Sequence, residues 1–268
     1  MQPSDTKDTP VVIFCGGRGT RLKEETEIIP KPLVKVGEQP ILWHIMKIFH
    51  SYGFKKFILL VGYKGDLIKQ YCFNYPIHAS DFTVRFKDGR REVQCHEMPN
   101  EDWEITVIDT GLNAETAARL KRAEKYLAGK KFLLTYGDGV ANVNLNDLTA
   151  FHDAHPSLVT VTGVNPPGRF GEIRTQGAYA QAFWEKRNRV DQGYINGGFI
   201  VVEPEIFKYI GDDPMLSFEK HILPRVASEG KMTVFPHSGY WQCMDTMRDM
   251  EYLNDEWSKG NPAWKIWK

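Results

Sequence analysis

Several things that would have placed this sequence quickly are scarce or missing. There are four cysteines in 268 residues, Cys15, Cys72, Cys95 and Cys243, widely spaced and without a CxxC pair. That excludes a disulfide framework and a zinc ribbon, and the apolar or aromatic surroundings of most of them mark reduced structural thiols. Neither sign of charge is in excess: Lys and Arg total 34, as do Asp and Glu. With no basic surplus and no Lys/Arg run, nothing draws the chain to nucleic acid or to an anionic membrane. Long apolar runs are also missing. Val11 to Cys15 follows a polar opening and is far too short for a signal segment or a spanning helix, so a cytoplasmic protein is expected. No repeat and no low-complexity linker divides the chain, and 42% hydrophobic content can build a substantial core. The expectation is a loose tail over residues 1–10 and one domain over 11–268.

What is present begins at Val11-Val-Ile-Phe-Cys-Gly-Gly-Arg-Gly-Thr-Arg-Leu22, followed by Pro30-Lys31-Pro32. Five apolar residues run into Gly16, Gly17 and Gly19, the pattern of a buried strand ending in a loop that lets a ligand approach the backbone closely. Converging backbone N–H groups can hold phosphate there, with a hydroxyl from Thr20 and a cationic fork from Arg21. Two commoner phosphate loops do not fit. No Gly-Lys-Ser/Thr follows, and Leu22 stands where a dinucleotide fingerprint needs its third glycine. Pro30 and Pro32 forbid the long helix those motifs require and stiffen Lys31 between them. A nicotinamide oxidoreductase is disfavoured on the same grounds.

Beyond the loop, Ile41 to Tyr52 has helical spacing and stops at Gly53, and Phe57 to Val61 reads as a second buried strand. A helix at Leu67 to Cys72, a hairpin turning at Asp88-Gly89 and a strand from Trp103 to Ile108 follow. Thr116 to Leu127 reads as a helix and Lys131 to Tyr136 as another buried strand. Later segments alternate similarly, with helices at Leu145 to His155, Glu205 to Ile210, Phe218 to Glu229 (kinked near Pro224) and Thr246 to Trp257. The fold class expected is α/β: an open, mixed but mostly parallel Rossmann-like sheet flanked by helices, with small β-rich insertions.

Candidate chemistry follows from position. Asp138 lies past the end of a buried strand with a glycine on each side, where a metal and phosphates would have room; a plain turn aspartate is the competing role. Asp245 precedes a helical run, where N-capping competes. Two carboxylates distant in sequence suit a hard, oxygen-seeking Mg²⁺ beside substrate phosphates. Read alone, Arg119 and Lys186 are ordinary surface cations. The eight histidines form no metal pattern: His44 reads as a packed residue, and His152 and His155 as surface or capping groups. Trp241 could cover a sugar face or fill core, the latter favoured.

The series GGRGTRL, PKPL, Gly62-Tyr-Lys-Gly65, Thr135-Tyr-Gly-Asp-Gly-Val140, Pro166-Pro-Gly-Arg-Phe-Gly171, Ile195-Asn-Gly-Gly-Phe199 and Met244-Asp-Thr246 resembles the sugar-1-phosphate nucleotidylyltransferases over nearly the whole chain. Its order and spacing are similar to the branch that joins CTP to α-D-glucose 1-phosphate. The resemblance implies nucleotide contacts from Gly16, Gly17, Gly19, Thr20, Arg21, Lys31, Arg119 and Gly137. It implies catalytic cations at Arg21, Lys31 and Lys186, contacts from Glu185, Lys186 and Asn196 about the sugar phosphate and the nucleotide ribose, and Mg²⁺ on Asp138 and Asp245. It further implies a homo-oligomer, a hexamer being one such form, and service to deoxysugar and O-antigen synthesis. Two departures stand out. Thr116-Ala117-Ala118-Arg119 replaces Thr-Gly-Gly-Arg, placing two β-carbons where a nucleotide is expected, and Arg187 replaces a proline after Lys186. The alternatives are another sugar phosphate or nucleotide, or a nucleotide-binding regulatory homologue without turnover.

Overall fold

The computed structural model describes residues 8–97, 101–127, 129–165, 172–176, 179–184 and 193–267. A central sheet has seven strands: β1 (Pro10–Cys15), β2 (Lys56–Val61), β3 (Glu104–Asp109), β4 (Phe132–Tyr136), β5 (Val159–Val164), β6 (Ile195–Val202) and β7 (Met232–His237). Their spatial order is β7-β5-β6-β4-β1-β2-β3. β6 alone runs against its neighbours, so the sheet is mixed and mostly parallel, as expected.

Strands β1, β2, β4 and β5 are almost wholly buried because both faces are covered, whereas the edge strands β3 and β7 are partly exposed. Alternate residues of β1 point opposite ways: Val11, Ile13 and Cys15 join one core, Val12 and Phe14 the other. The first core packs α1 (Ile41–Ser51) and Leu145 and Leu148 of α4 (Leu145–Ala154) on the sheet, and α5 (Met247–Ser258) adds Leu253. The second packs Ala117, Leu120, Ala123 and Leu127 of α3 (Thr116–Leu127), together with Phe207, Phe218 and Val226. A further helix, α2 (Gly65–Phe73), lies between β2 and β3 in sequence.

The expected hairpin, Phe82–Lys87 with Arg90–Cys95, turns through Asp88 and Gly89, both at positive φ. Two helices differ in kind from the expectation. Pro204–Tyr209 is a 3-10 segment, and the kinked helix starts with a π turn at Phe218–Ile222 before Leu223–Ser228. The wide turn precedes Pro224, whose ring cannot donate to an α-helical ladder. His44 is packed as expected, fully buried with a ring nitrogen 2.8 Å from Val36 O. His152 departs from its expected surface role: it is buried, with Nδ1 2.6 Å from Thr160 Oγ1 and Nε2 3.1 Å from Glu203. Trp241 packs on the first core and donates its indole N–H to Gly197 O at 2.7 Å. Among the described residues no helix is long and apolar enough to cross a membrane.

Candidate active site

Strands β2 and β3 extend to one side of β1, and β4 returns on the other side, with Phe14 opposite Tyr136. The chain therefore reverses its strand order between β1 and β4, and their carboxyl ends open a crevice where ligands collect on such sheets. A cleft of about 720 Å³ lies there, within the size range of small-molecule sites. It is lined by the Gly16–Arg21 loop, Lys31 and Pro32, the segment Leu112–Thr116, Arg119, Tyr136–Asp138 and Met215.

The loop is built for its position. Gly19 has φ +62°, and a β-carbon there would meet Thr26 Cγ2 at 2.8 Å, so the fold itself demands glycine. Gly17 is different: it is exposed, and a β-carbon would meet nothing within 4 Å. Its bareness serves an approaching ligand rather than packing. Thr20 and Arg21 are exposed at the rim, in a short 3-10 turn ending at the buried Leu22.

Pro30 is the N-cap of a 3-10 turn at Lys31–Leu33, with Pro32 at its middle, and Leu33 N–H closes it by donating to Pro30 O at 2.8 Å. The turn aims Lys31 across the cleft, where Nζ donates to Asp138 Oδ2 and to Asp245 Oδ1, each at 2.7 Å. Arg21 Nη1 reaches the other oxygen of Asp245 at 2.8 Å through a side chain that is 71% exposed. A short antiparallel ladder, Gly139–Ala141 with Trp241–Cys243, brings the aspartates together, and Met244 N–H extends it by donating to Asp138 O at 2.8 Å. The α5 N-cap is Thr246, in a capping box with Asp249, so the Asp245 carboxylate is not used as the cap.

The charges hold one another. Burial alone would lower the Lys31 ammonium, but Asp138 and Asp245 outweigh it and keep it above its ordinary value. Burial would raise Asp245, and Lys31 and Arg21 overcome that to hold its carboxyl below the usual range. Cys243, 3.7 Å from Asp245, is pushed up to about 12 by burial and by both aspartates. Two hard-oxygen donors already share one cation, the ammonium, which is the donor set a Mg²⁺ site needs alongside substrate phosphates. Among the described residues no group of three or more His, Cys, Asp or Glu forms a complete metal cage.

Arg119 sits beneath the loop rather than at its rim. It is 5% exposed and donates to Thr110 Oγ1 at 2.6 Å, Gly111 O at 2.8 Å and Gly16 O at 3.1 Å. Gly16 is needed beside it, since a β-carbon there would lie 2.2 Å from the guanidinium. Gly137 likewise passes close to Phe14 O and Pro32. Ala117 packs in the second core and Ala118 is buried, and both backbone N–H groups donate to Leu216 O. Their β-carbons do not enter the cleft, so the departure from Thr-Gly-Gly-Arg crowds nothing there.

Asn196 stands near the start of β6. Because β6 is antiparallel, its amino end meets the carboxyl ends of its neighbours, and Asn196 reaches Tyr136 OH at 3.0 Å. Glu185, Lys186 and the Pro166–Gly171 motif lie outside the described residues. Glu219, Thr116 and Tyr136 are polar groups here that the sequence reading passed over. The only signal was Tyr136, a polar ending to an otherwise buried strand.

Comparison with known proteins bears on this arrangement. The family model for nucleotidyl transferases matches residues 10–257. The chain belongs to that family. Among nucleotidyl transferases it is 44% identical to the glucose-1-phosphate cytidylyltransferase of Salmonella typhi over 258 residues, 96% of this chain and 99% of that one. It is equally similar, with the same coverage, to the enzyme of that name from Salmonella typhimurium. The solved structure of HddC from Yersinia pseudotuberculosis, complexed with GMP-PN, shares the fold, aligning with a TM-score of 0.65 at 22% identity and covering 93% of this chain and 99% of that one.

Proposed function

We propose that the chain transfers a cytidylyl group from CTP to α-D-glucose 1-phosphate. A phosphate oxygen of the sugar phosphate attacks the α-phosphorus in line, the bond from the α-phosphorus to the bridging oxygen breaks, and pyrophosphate leaves. No general base is required, because the attacking oxygen is already anionic and needs chiefly to be positioned. The observation that carries the reading is the convergence of the glycine loop, Lys31, Asp138 and Asp245 at the strand-order reversal. The choice of CTP and glucose 1-phosphate rests on the curated relatives at 44% identity.

In this reading the backbone of Gly16, Gly17 and Gly19, with Thr20 and Gly137, receives the triphosphate. Arg21, whose arm is largely free, and Lys31 neutralise its charge; Arg119 supports the loop from below and adds positive potential. Asp138 and Asp245 would hold Mg²⁺, which when bound supplies charge neutralisation to the phosphates. Glu185, Lys186 and Asn196 contact the sugar phosphate. We assign residues 11–268 to one catalytic domain, acting in the cytoplasm as a homo-oligomer in deoxysugar and O-antigen synthesis. Pyrophosphate release with glucose 1-phosphate and Mg²⁺ is measured with CTP, UTP, dTTP, ATP and GTP in turn. Release with CTP alone is expected. Release with a different triphosphate overturns the base assignment, and silence with all five overturns the reading for this sugar.

A further inference from the structure

We propose that Tyr136, anchored by Glu219, is a positioning residue that fixes the orientation of the Asn196 amide. The inference rests on the functional reading above for what Asn196 meets, and on geometry for the rest. Glu219 is the second residue of the π turn and accepts three hydroxyl hydrogen bonds: from Tyr136 at 2.7 Å, Thr116 at 2.6 Å and Ser217 at 2.8 Å.

An ionised carboxylate only accepts, so the Tyr136 proton is committed to Glu219 and the phenol oxygen presents a lone pair to its other neighbour. That neighbour is Asn196 Nδ2, at 3.0 Å. On its other side Asn196 Oδ1 accepts Gly198 N–H at 2.9 Å. Turning the amide over would set oxygen against the phenol oxygen and NH₂ against an N–H, replacing two hydrogen bonds with two repulsions. The sense of the amide is therefore dictated from both ends.

The fold makes room for this ring. Gly198 has φ +82°, and a β-carbon there would lie 2.8 Å from Tyr136 Cδ2, so the ring rests directly on the β6 backbone. Phe14 flanks it at 5.8 Å between centroids. Asn196 retains one N–H and one oxygen lone pair, offered to a bound hydroxyl or phosphate in a fixed donor and acceptor order. Thr116 and Tyr136 both line the cleft, and Glu219 ties them together behind it.

The test is a double-mutant cycle on Tyr136→Phe and Asn196→Ala, read as KM for the sugar 1-phosphate against KM for CTP. Tyr136→Phe is expected to raise the sugar-phosphate KM about three- to tenfold, the worth of one hydrogen bond, and to leave the CTP KM within about twofold. The double variant should be no worse than Asn196→Ala alone, because Tyr136 acts through Asn196. Additive losses, or equal losses in both KM values, overturn the proposal. Glu219→Gln, which keeps one oxygen for the phenol, should cost less than Glu219→Ala; equal costs count against it. Wild-type turnover, measured first, tests the functional reading alone. If a different substrate pair is turned over, the cycle is run on that pair. If none is, it is read as Kd for CDP-glucose by calorimetry, with additivity again the refuting result.

Discussion

Replacing Lys31 with Met removes a cation while keeping most of the side-chain volume. The Lys31 side chain is 11% exposed, and its partners Asp138 and Asp245 are 28% and 12% exposed, so solvent screens the three groups only in part. Without the ammonium, two carboxylates that shared one donor face each other. Breaking a buried pair in this way costs about 3–5 kcal/mol; partial exposure and the surviving Arg21 contact bring the expectation to about 2–3 kcal/mol. In a chain of this size that is a fall in Tm of about 5–10 °C. The same loss leaves a stronger seat for a divalent cation, so Mg²⁺ should restore more stability to the variant than it adds to the wild type. Thermal unfolding in EDTA and in excess MgCl₂, without nucleotide, measures both. An unchanged Tm in EDTA, or equal Mg²⁺ increments in the two proteins, would refute the picture of Lys31 as the internal cation of this pair.

Gly17→Ala should leave Tm within about 1 °C, since its β-carbon meets nothing within 4 Å, while weakening nucleotide binding; unchanged affinity in calorimetry would place the triphosphate elsewhere. His44 is lowered from 6.5 to about 4, chiefly by burial. Its unfolded form therefore binds a proton first, and stability should fall by about 3 kcal/mol as pH drops from 6.5 to 4. His44→Gln should flatten that part of the urea-unfolding profile; an unchanged slope would count against a neutral buried imidazole. Cys243, pushed up to about 12, should resist iodoacetamide at pH 8 in the folded protein, and rapid alkylation detected by mass spectrometry would contradict its setting.

How much of this was legible depended on range. The buried strand at Val11, the proline-bounded Lys31 and the helical spacing of Ile41 to Tyr52 are local signals, and the structure places them as read. Asp138 was legible because a strand end and two glycines mark it. Asp245 was ambiguous, because one carboxylate before a helix suits a cap or a ligand; the structure gives the cap to Thr246 with Asp249 and pairs Asp245 with Lys31 and Arg21. The setting of Arg119 could not be read, since its acceptors follow the ends of two strands, β1 and β3, that are brought together only once the sheet forms. His152 misled for a similar reason. Spacing near a helix end suggested surface, whereas its partners arrive from β5 and from the residue after β6. Glu219 looked like any first-turn acid, and only the π turn beside Tyr136 gave it a different place.

The ammonium that bridges the two aspartates also says when the site comes into being. Its contacts span 107 and 214 residues of chain, so the first waits until β4 has paired with β1 and the second until the segment after β7 has closed back over it. During synthesis all seven strands are made before Asp245 emerges, and a chain stopped at residue 240 would carry the whole sheet without its second carboxylate. Contacts this distant are expected to form late in folding. Nucleotide affinity during refolding should consequently lag behind the recovery of secondary structure, which makes ligand binding a gauge of completed folding in this protein.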